Sequence, residues 1–420
     1  MQFSSFSKRF MGSAGILQLM QDLGEAMANG GEDVCMLGGG NPAAIPEINE
    51  RLHRRMQALL DEPNRFAQMI GNYDSPQGEP RFIKALCELF RREYGWAISE
   101  RNIALTAGSQ AAFFMLFNLF AGAFPDGGRR RILLPILPEY IGYSDVGISQ
   151  PLFRAVKPSI EERGAHRFKY RVNFDELTIA DDVGAICVSR PTNPTGNVLT
   201  DDEIDRLHAL AREHDVPLII DNAYGQPFPD IIFKQVALPW SEQIILCLSL
   251  SKMGLPAVRT GIIVAAEPVI QAITGMNAIL QLANGSIGPA LAEEMTASGE
   301  IIELSRNVIN PYYRARSEQA LAWFDAALAG VDYRIHEAEG AIFLWLWFPG
   351  LPISSDELYR RLKQRGVLVI AGEHFFPGLE EDWPHRHECI RVSYAQSPEV
   401  VQRGIGIIAE EVKKAFGHQD

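Results

Sequence analysis

The run Gln243-Ile244-Ile245-Leu246-Cys247-Leu248-Ser249-Leu250-Ser251-Lys252-Met253-Gly254-Leu255-Pro256-Ala257-Val258-Arg259-Thr260-Gly261-Ile262-Ile263-Val264 sets a lysine and an arginine between two apolar stretches. The stretches 243–251 and 260–266 are expected to be strands, since continuous apolar runs of this length suit a sheet buried on both faces. A lysine at the end of a buried strand is costly to keep charged. Burial lowers its pKa and makes its amine a good partner for a carbonyl carbon. Ser249, Ser251 and Arg259 add hydroxyls and a fixed cation suited to one phosphate. Taken alone, the run equally fits a lysine snorkelling from a strand end.

Working outward, VPLIID (216–221), VGAICVS (183–189) and RRRILLPIL (129–137) are further expected strands, and an apolar helix is expected from after Thr106 to about Phe120. Thr200-Asp201-Asp202-Glu203 is a capping box that starts a helix ending near His214. This alternation predicts an α/β fold: a large domain whose mostly parallel sheet is covered by helices on both faces, with a smaller α+β domain. Residues 1–45 are expected to form an arm and part of the small domain, 46–300 the large domain and 301–420 the small one. The small domain should hold a long helix through Ala329, strands around 341–348, and helices near 356–365 and 398–416.

Bulk properties narrow the function classes. The 420 residues exceed one ordinary core, and 47% hydrophobic with 22% charged residues describes a globular chain. A net charge of -13 argues against nucleic-acid binding, which needs lysine and arginine to replace counterions. No secretory signal is expected in MQFSSFSKRFMGSAG, and the apolar stretch 111–124 is too short to span a bilayer. The five cysteines form no CxxC pair, which fits a reducing cytoplasm.

Three more segments follow strands or precede a helix, the places where α/β sheets bind ligands. Asp221-Asn222-Ala223-Tyr224 puts a carboxylate where it could keep a pyridine nitrogen protonated, although an aspartate starting a turn is the ordinary alternative. Ser189-Arg190-Pro191-Thr192-Asn193-Pro194-Thr195-Gly196 is a rigid turn that could fix Asn193 against a ligand oxygen, or simply a turn. Thr106-Ala107-Gly108-Ser109-Gln110 opens a helix and offers free amides to an anion, or a plain serine cap.

Together, and in this order, these segments resemble the fold type I pyridoxal-phosphate enzymes of the aspartate aminotransferase superfamily over nearly the whole chain. The resemblance implies that Lys252 forms the Schiff base with pyridoxal 5'-phosphate and that Asp221 pairs with the pyridine nitrogen. It further implies that Asn193 and Tyr224 bind the ring hydroxyl, and that Gly108, Ser109, Gln110, Ser249, Ser251 and Arg259 hold the phosphate. Tyr140 of Pro138-Glu139-Tyr140 would stack on the ring. Tyr73 of Asn72-Tyr73-Asp74-Ser75-Pro76-Gln77-Gly78 would reach the neighbouring site of a homodimer. Arg391 of Ile390-Arg391-Val392-Ser393-Tyr394-Ala395 would grip the substrate carboxylate, with Gly40 and Asn193 beside it.

Within the superfamily, Leu37-Gly38-Gly39-Gly40-Asn41-Pro42-Ala43-Ala44-Ile45-Pro46 is similar to the branch that moves amino groups between valine and pyruvate. The implied activity is a ping-pong transamination between an apolar amino acid (valine, alanine) and a 2-oxo acid (pyruvate, 3-methyl-2-oxobutanoate), with Ile16 and Leu17 as possible covers or ordinary core. Ala257 departs from the glycine that many relatives carry after the proline.

Alternatives share parts of this pattern. A lyase, racemase or decarboxylase on the same fold would keep every cofactor contact, and a pyridoxal-binding regulator would need a DNA-binding segment that the first 40 residues do not supply. Ser249-x-x-Lys252 also matches the S-x-x-K of serine β-lactamases, but Arg259-Thr260-Gly261 is too close to serve as their K-T-G. The glycines 38–40 precede Asn-Pro rather than a dinucleotide-binding helix. His385-Arg386-His387-Glu388-Cys389 is expected to be a solvated loop, and no metal site is assigned.

Overall fold

The computed structural model describes residues 34–417, together with 2, 3, 7, 21 and 24. A short strand, β1 (Cys35–Met36), leads into helices Pro46–Asp61, Pro63–Gly71 and Pro80–Tyr94. Each helix has a proline in its first turn, where a missing N–H removes no intrahelical bond.

The large sheet begins with β2 (Ile103–Thr106), β3 (Gly122–Ala123), β4 (Arg129–Leu134) and β5 (Phe153–Ala155). A hairpin of β6 (Ser159–Arg163) and β7 (Arg167–Arg171) then leaves it. The sheet is completed by β8 (Val183–Ser189), β9 (Leu218–Asp221), β10 (Ile244–Ser249) and β11 (Gly261–Val264). Its order is β2-β11-β10-β9-β8-β4-β3, with β5 also on β4. Every residue of β8 and β10 is buried, as their unbroken apolar sequences require. Helices Ser109–Phe120 and Asp201–Glu213 pack on the sheet, and the second starts at the expected capping box, with Thr200 and Glu203 bonded reciprocally.

Strands β4, β5, β8, β9 and β10 run parallel, whereas β11 is antiparallel to both neighbours. The reversal follows from chain length. Residues 250–260 are fewer than the dozen or so that a parallel crossover needs, so the chain must return beside β10. The loop that makes this return carries Lys252 and Arg259 and lies at the carboxyl edge of the parallel strands.

The second sheet uses β12 (Arg334–His336), β13 (Phe343–Trp347), β15 (Ile370–Ala371) and β16 (Cys389–Ser393), while β14 (Val367–Leu368) pairs with β1. Its order is β15-β16-β13-β12-β7-β6. Residues 159–171 lie within the span 46–300, yet their hairpin extends this second sheet through parallel pairing of β7 with β12. The long helix expected through Ala329 runs from Glu300 to Ala327 and contains a π turn at Ser305–Ile309. Pro311 stands two residues beyond it, and a proline cannot sit in an uninterrupted α ladder.

The segment 384–387, expected to be a solvated loop, is a 3-10 turn whose first histidine is buried. His385 Nε2 accepts from the Tyr170 hydroxyl at 2.5 Å, Trp345 Nε1 donates to the same hydroxyl, and the His385 ring stacks on Trp383. His336 is likewise enclosed, accepting from the Tyr170 amide at Nε2. Hydrophobic surroundings outweigh the polarity of the two residues in deciding their place. Burial pushes both imidazoles down to about 3.

Their neutral forms therefore belong to the folded state and their protonated forms to the unfolded one. The stabilisation is complete above the unfolded pKa and is lost as pH falls below it, by about 1.4 kcal/mol per pH unit for each ring. Melting temperature should thus drop between about pH 6.5 and pH 5, and His336→Gln, though less stable at neutral pH, should show a shallower decline. Thermal melts of both proteins across that range check this.

Candidate active site

The ladder itself aligns the site. Ser189 of β8 lies opposite Asp221 of β9, Asp221 opposite Cys247 of β10, and Ser249 opposite Gly261 of β11, which in turn faces Thr106 of β2. A cavity of ≈ 370 Å³ opens over this edge, bounded by Gly40, Tyr140, Asn193, Asp221, Lys252 and Arg391.

Lys252 stands in the 3-10 turn Ser251–Met253, with Nζ 2.5 Å from the Gly40 carbonyl oxygen and 5.2 Å from the Tyr224 ring centre. Burial, then the nearby Arg391 and Arg259 cations, lower its amine to about 8 against the pull of Asp221. The Asp221 carboxylate accepts from the Tyr143 hydroxyl at 2.7 Å and from the Ala223 amide at 3.1 Å. Burial raises its pKa, while those two bonds and Lys252 oppose the rise.

One end of the cavity is built from donors. Gly108 precedes the helix Ser109–Phe120 without a side-chain cap, so the first amides stay available. Its φ of +82° favours glycine there, and the Arg259 guanidinium lies against the open side of its backbone. The Ser249 and Ser251 hydroxyls lie 3.0 Å apart. Helix amides, two hydroxyls and a guanidinium converge without a carboxylate among them, the donor set that a phosphate dianion fits. Arg259 itself has a φ of +48°, just past the exposed Ala257.

The other end holds Arg391, which is 2% exposed. One guanidinium nitrogen donates to Asn193 Oδ1 at 2.6 Å and another to the Gly38 carbonyl at 2.7 Å, and the group lies 4.0 Å from the Phe343 ring centre. Its Nε is buried without a hydrogen-bond partner. Burial lowers this guanidinium to about 10, with Tyr224 and Tyr140 opposing. A buried cation with an unspent donor is chemically suited to a carboxylate.

Tyr140, Tyr224, Ser109 and Gln110 also line the cavity, although the Gln110 amide donates to the Gly142 carbonyl at 2.8 Å rather than standing free. Tyr73 is not in this cavity; it is 83% exposed on the surface. Ile16 and Leu17 lie outside the described residues. The donor end, Lys252, Asp221 and Tyr140 fit pyridoxal phosphate: an anion seat, an amine for the aldehyde, a carboxylate for the ring nitrogen and an aromatic face.

Two polar residues of this edge carried no assignment in the sequence. Tyr143 bonds Asp221, and Glu139, fully buried, accepts from the Ser189 amide at 2.8 Å with its other oxygen 2.5 Å from the Ser189 hydroxyl. Nothing local marks these contacts, which join segments 78 and 50 residues apart. Outside the cavity, among the described residues, Asp356, Glu373 and His374 come close enough to share an ion, but Asp356 already accepts from Arg360 and Glu373 from His387.

Residues 37–408 match the family model described as aminotransferase class I and II. The chain is 48% identical over 416 residues to the valine–pyruvate aminotransferase of Escherichia coli (strain K12), covering 99% of each. The crystal structure of valine-pyruvate aminotransferase from Salmonella typhimurium LT2 superposes with a TM-score of 0.88 at 46% identity, over 96% of this chain and 100% of that one. An aspartate aminotransferase double mutant of Thermus thermophilus shares the fold at a TM-score of 0.77 and 20% identity, over 98% and 100% of the two chains. This chain, with its strand-end lysine, carboxylate and anion seat on one edge, belongs to the aminotransferase class I and II family.

Proposed function

We propose that this aminotransferase moves amino groups between valine or alanine and the 2-oxo acids pyruvate and 3-methyl-2-oxobutanoate. The observation that carries the substrate class is the charge inventory of the cavity. Among the described residues lining it, the charged groups are Asp221, Lys252, Arg259 and Arg391. The first three serve the cofactor, which leaves Arg391 for one carboxylate and no further cation for a second. Met36 and Ile141 add apolar lining for a side chain. The E. coli and Salmonella relatives, valine–pyruvate aminotransferases by name, support the same substrate pair.

When bound, pyridoxal phosphate supplies an aldehyde that joins an amine as a Schiff base and a ring that accepts the electron pair of the α-carbon. The chain supplies the rest. Gly108, Ser109, Gln110, Ser249, Ser251 and Arg259 hold the phosphate, Tyr140 covers the ring face, and Asn193 and Tyr224 bind its hydroxyl. Asp221 holds the proton on the ring nitrogen. Arg391, with Asn193 and Gly40 beside it, orients the substrate carboxylate. Lys252 Nζ takes the α-proton and returns it one position away, and an amine near 8 is suited to both tasks at neutral pH.

The working unit is proposed to be a homodimer. Ile70, Tyr73, Ile279, Leu280, Leu282 and Ile287 are exposed. Their segments are tied together by Asn277 donating to the Pro76 carbonyl and by Ser286 donating to Asp74. Such a patch suits a second copy, whose phosphate seat Tyr73 would reach. The five described cysteines are free and buried, which supports a cytoplasmic setting. Among the described residues no helix is long and apolar enough to cross a membrane.

Borohydride reduction of the loaded enzyme should place the label on the peptide bearing Lys252, and Lys252→Ala should abolish transamination; a label elsewhere or retained turnover removes the assignment. With pyruvate as acceptor, L-valine should exceed L-glutamate in kcat/KM by about tenfold or more, since glutamate leaves a carboxylate unpaired. Ile279→Asp should shift the protein toward monomer in sedimentation velocity, whereas Tyr73→Phe should keep the dimer and weaken retention of the cofactor.

A further inference from the structure

Lys169 and Glu339 are charged residues sealed inside the protein, 2% and 4% exposed, and the chemistry above gives them no task. Lys169 stands on β7, in the hairpin that extends the second sheet, and Glu339 follows 170 residues later, between β12 and β13. Their side chains form an ion pair, and both reach one residue of the turn that carries Asn193. Glu339 Oε2 accepts from the Val198 amide at 3.0 Å, and Lys169 Nζ donates to the Val198 carbonyl at 3.0 Å. Two side chains attached to the second sheet thus occupy both backbone polar groups of a residue that belongs to the large sheet's turn.

The contact extends on either side of the pair. The Glu339 carbonyl accepts from the Phe233 amide at 2.7 Å, and Lys234 Nζ lies 3.6 Å from the other Glu339 carboxyl oxygen. A Cβ on Gly340 would stand 2.7 Å from the Pro191 ring, and one on Gly196 would stand 2.6 Å from the Gly340 carbonyl oxygen, so the two segments touch backbone to backbone. Phe343, three residues on, has its ring centre 4.0 Å from the Arg391 guanidinium, and β13 pairs with the strand that bears Arg391. The turn itself is stiff: the Thr192 amide donates to the Asn197 carbonyl and the Gly196 amide to the Thr192 carbonyl, each at 2.8 Å. Asn193 is its half-buried tip and holds Arg391 through Oδ1 at 2.6 Å. Residues 339–343 are therefore wedged between the turn that aims Asn193 and the strand that carries Arg391.

A buried ion pair is a weak way to stabilise a core, because removing two charges from water offsets most of their attraction. It does fix geometry. We propose that Lys169 and Glu339 are positioning residues for the substrate carboxylate: they clamp the 191–198 turn to the second sheet, so that Asn193 holds the Arg391 guanidinium in the one plane that a forked pair of hydrogen bonds requires. With the clamp removed, Arg391 has to be ordered at the moment of binding, and that cost falls on affinity. Neither residue lines the cavity. The proposal rests on Arg391 and Asn193 as the carboxylate seat.

The test uses the holoenzyme and 3-methylbutanoate, a monocarboxylate with the carbon skeleton of valine and no amine to react. Lys169→Met/Glu339→Gln removes both charges at once, and the glutamine oxygen can still accept from the Val198 amide. In this variant the calorimetric Kd of 3-methylbutanoate and the KM of L-valine should each rise about tenfold, the scale of one hydrogen bond, while kcat stays within about threefold and the cofactor remains bound. Hydrogen–deuterium exchange should quicken in residues 190–199 and not in β10. Unchanged Kd and KM overturn the proposal, as does a loss of kcat and cofactor with faster exchange in both segments, which marks a general loosening. A second arm needs no variant: saturating 3-methylbutanoate should slow exchange in 190–199 and 334–341 of the wild type together, and protection of the first without the second overturns the clamp. Arg391→Lys separates the two claims. Wild-type affinity for 3-methylbutanoate in that variant removes the carboxylate seat itself, whereas weakened binding there with wild-type binding in Lys169→Met/Glu339→Gln leaves the seat standing and removes only the clamp.

Discussion

The hydrogen-bond ladder between β8, β9 and β10 is the constraint from which the site follows. Parallel pairing leaves no freedom in which residues end up side by side, so Ser189, Asp221 and Ser249 reach the same edge because their strands do. Beyond β10 the chain has too few residues to cross over, and its return as β11 sets Lys252 and Arg259 against that edge. The Lys252 amine, the Asp221 carboxylate and the donors around Arg259 are thus positioned by backbone geometry before any side chain selects a rotamer.

Opposing electrostatic demands meet in a small volume. Lys252 and Arg391 are held below their usual basicity and Asp221 above its usual acidity range, with burial as the leading cause each time. Each group is partly compensated by another across the cavity, so none is comfortable alone. That is the arrangement expected where proton transfer must occur near neutral pH, and it is costly to build elsewhere in a core.

The legible parts of the fold were those written in contiguous sequence. The unbroken apolar run of β8, the capping box at Thr200 and the strand-end positions of Lys252 and Asp221 all follow from local composition and turn chemistry. Arg391 was reachable only through family likeness, because nothing near it says that Asn193, far earlier in the chain, will share its charge. The β6–β7 hairpin was harder still: its half-exposed, charged sequence gives no sign that Phe168 and Tyr170 will join an aromatic cluster with His336 and His385. Tyr143 and Glu139 escaped notice for the same reason, since their partners are fixed by sheet order rather than by neighbours.

The burial of all five thiols has a practical consequence. Cys187 and Cys247 sit at the centre of the large sheet, Cys389 in the second, and Cys35 where the entering strand meets β14. An alkylating reagent can modify each one only during an opening of its own neighbourhood. The order in which they are captured would therefore map which part of the molecule breathes first, using reporters the chain already contains and no added dye.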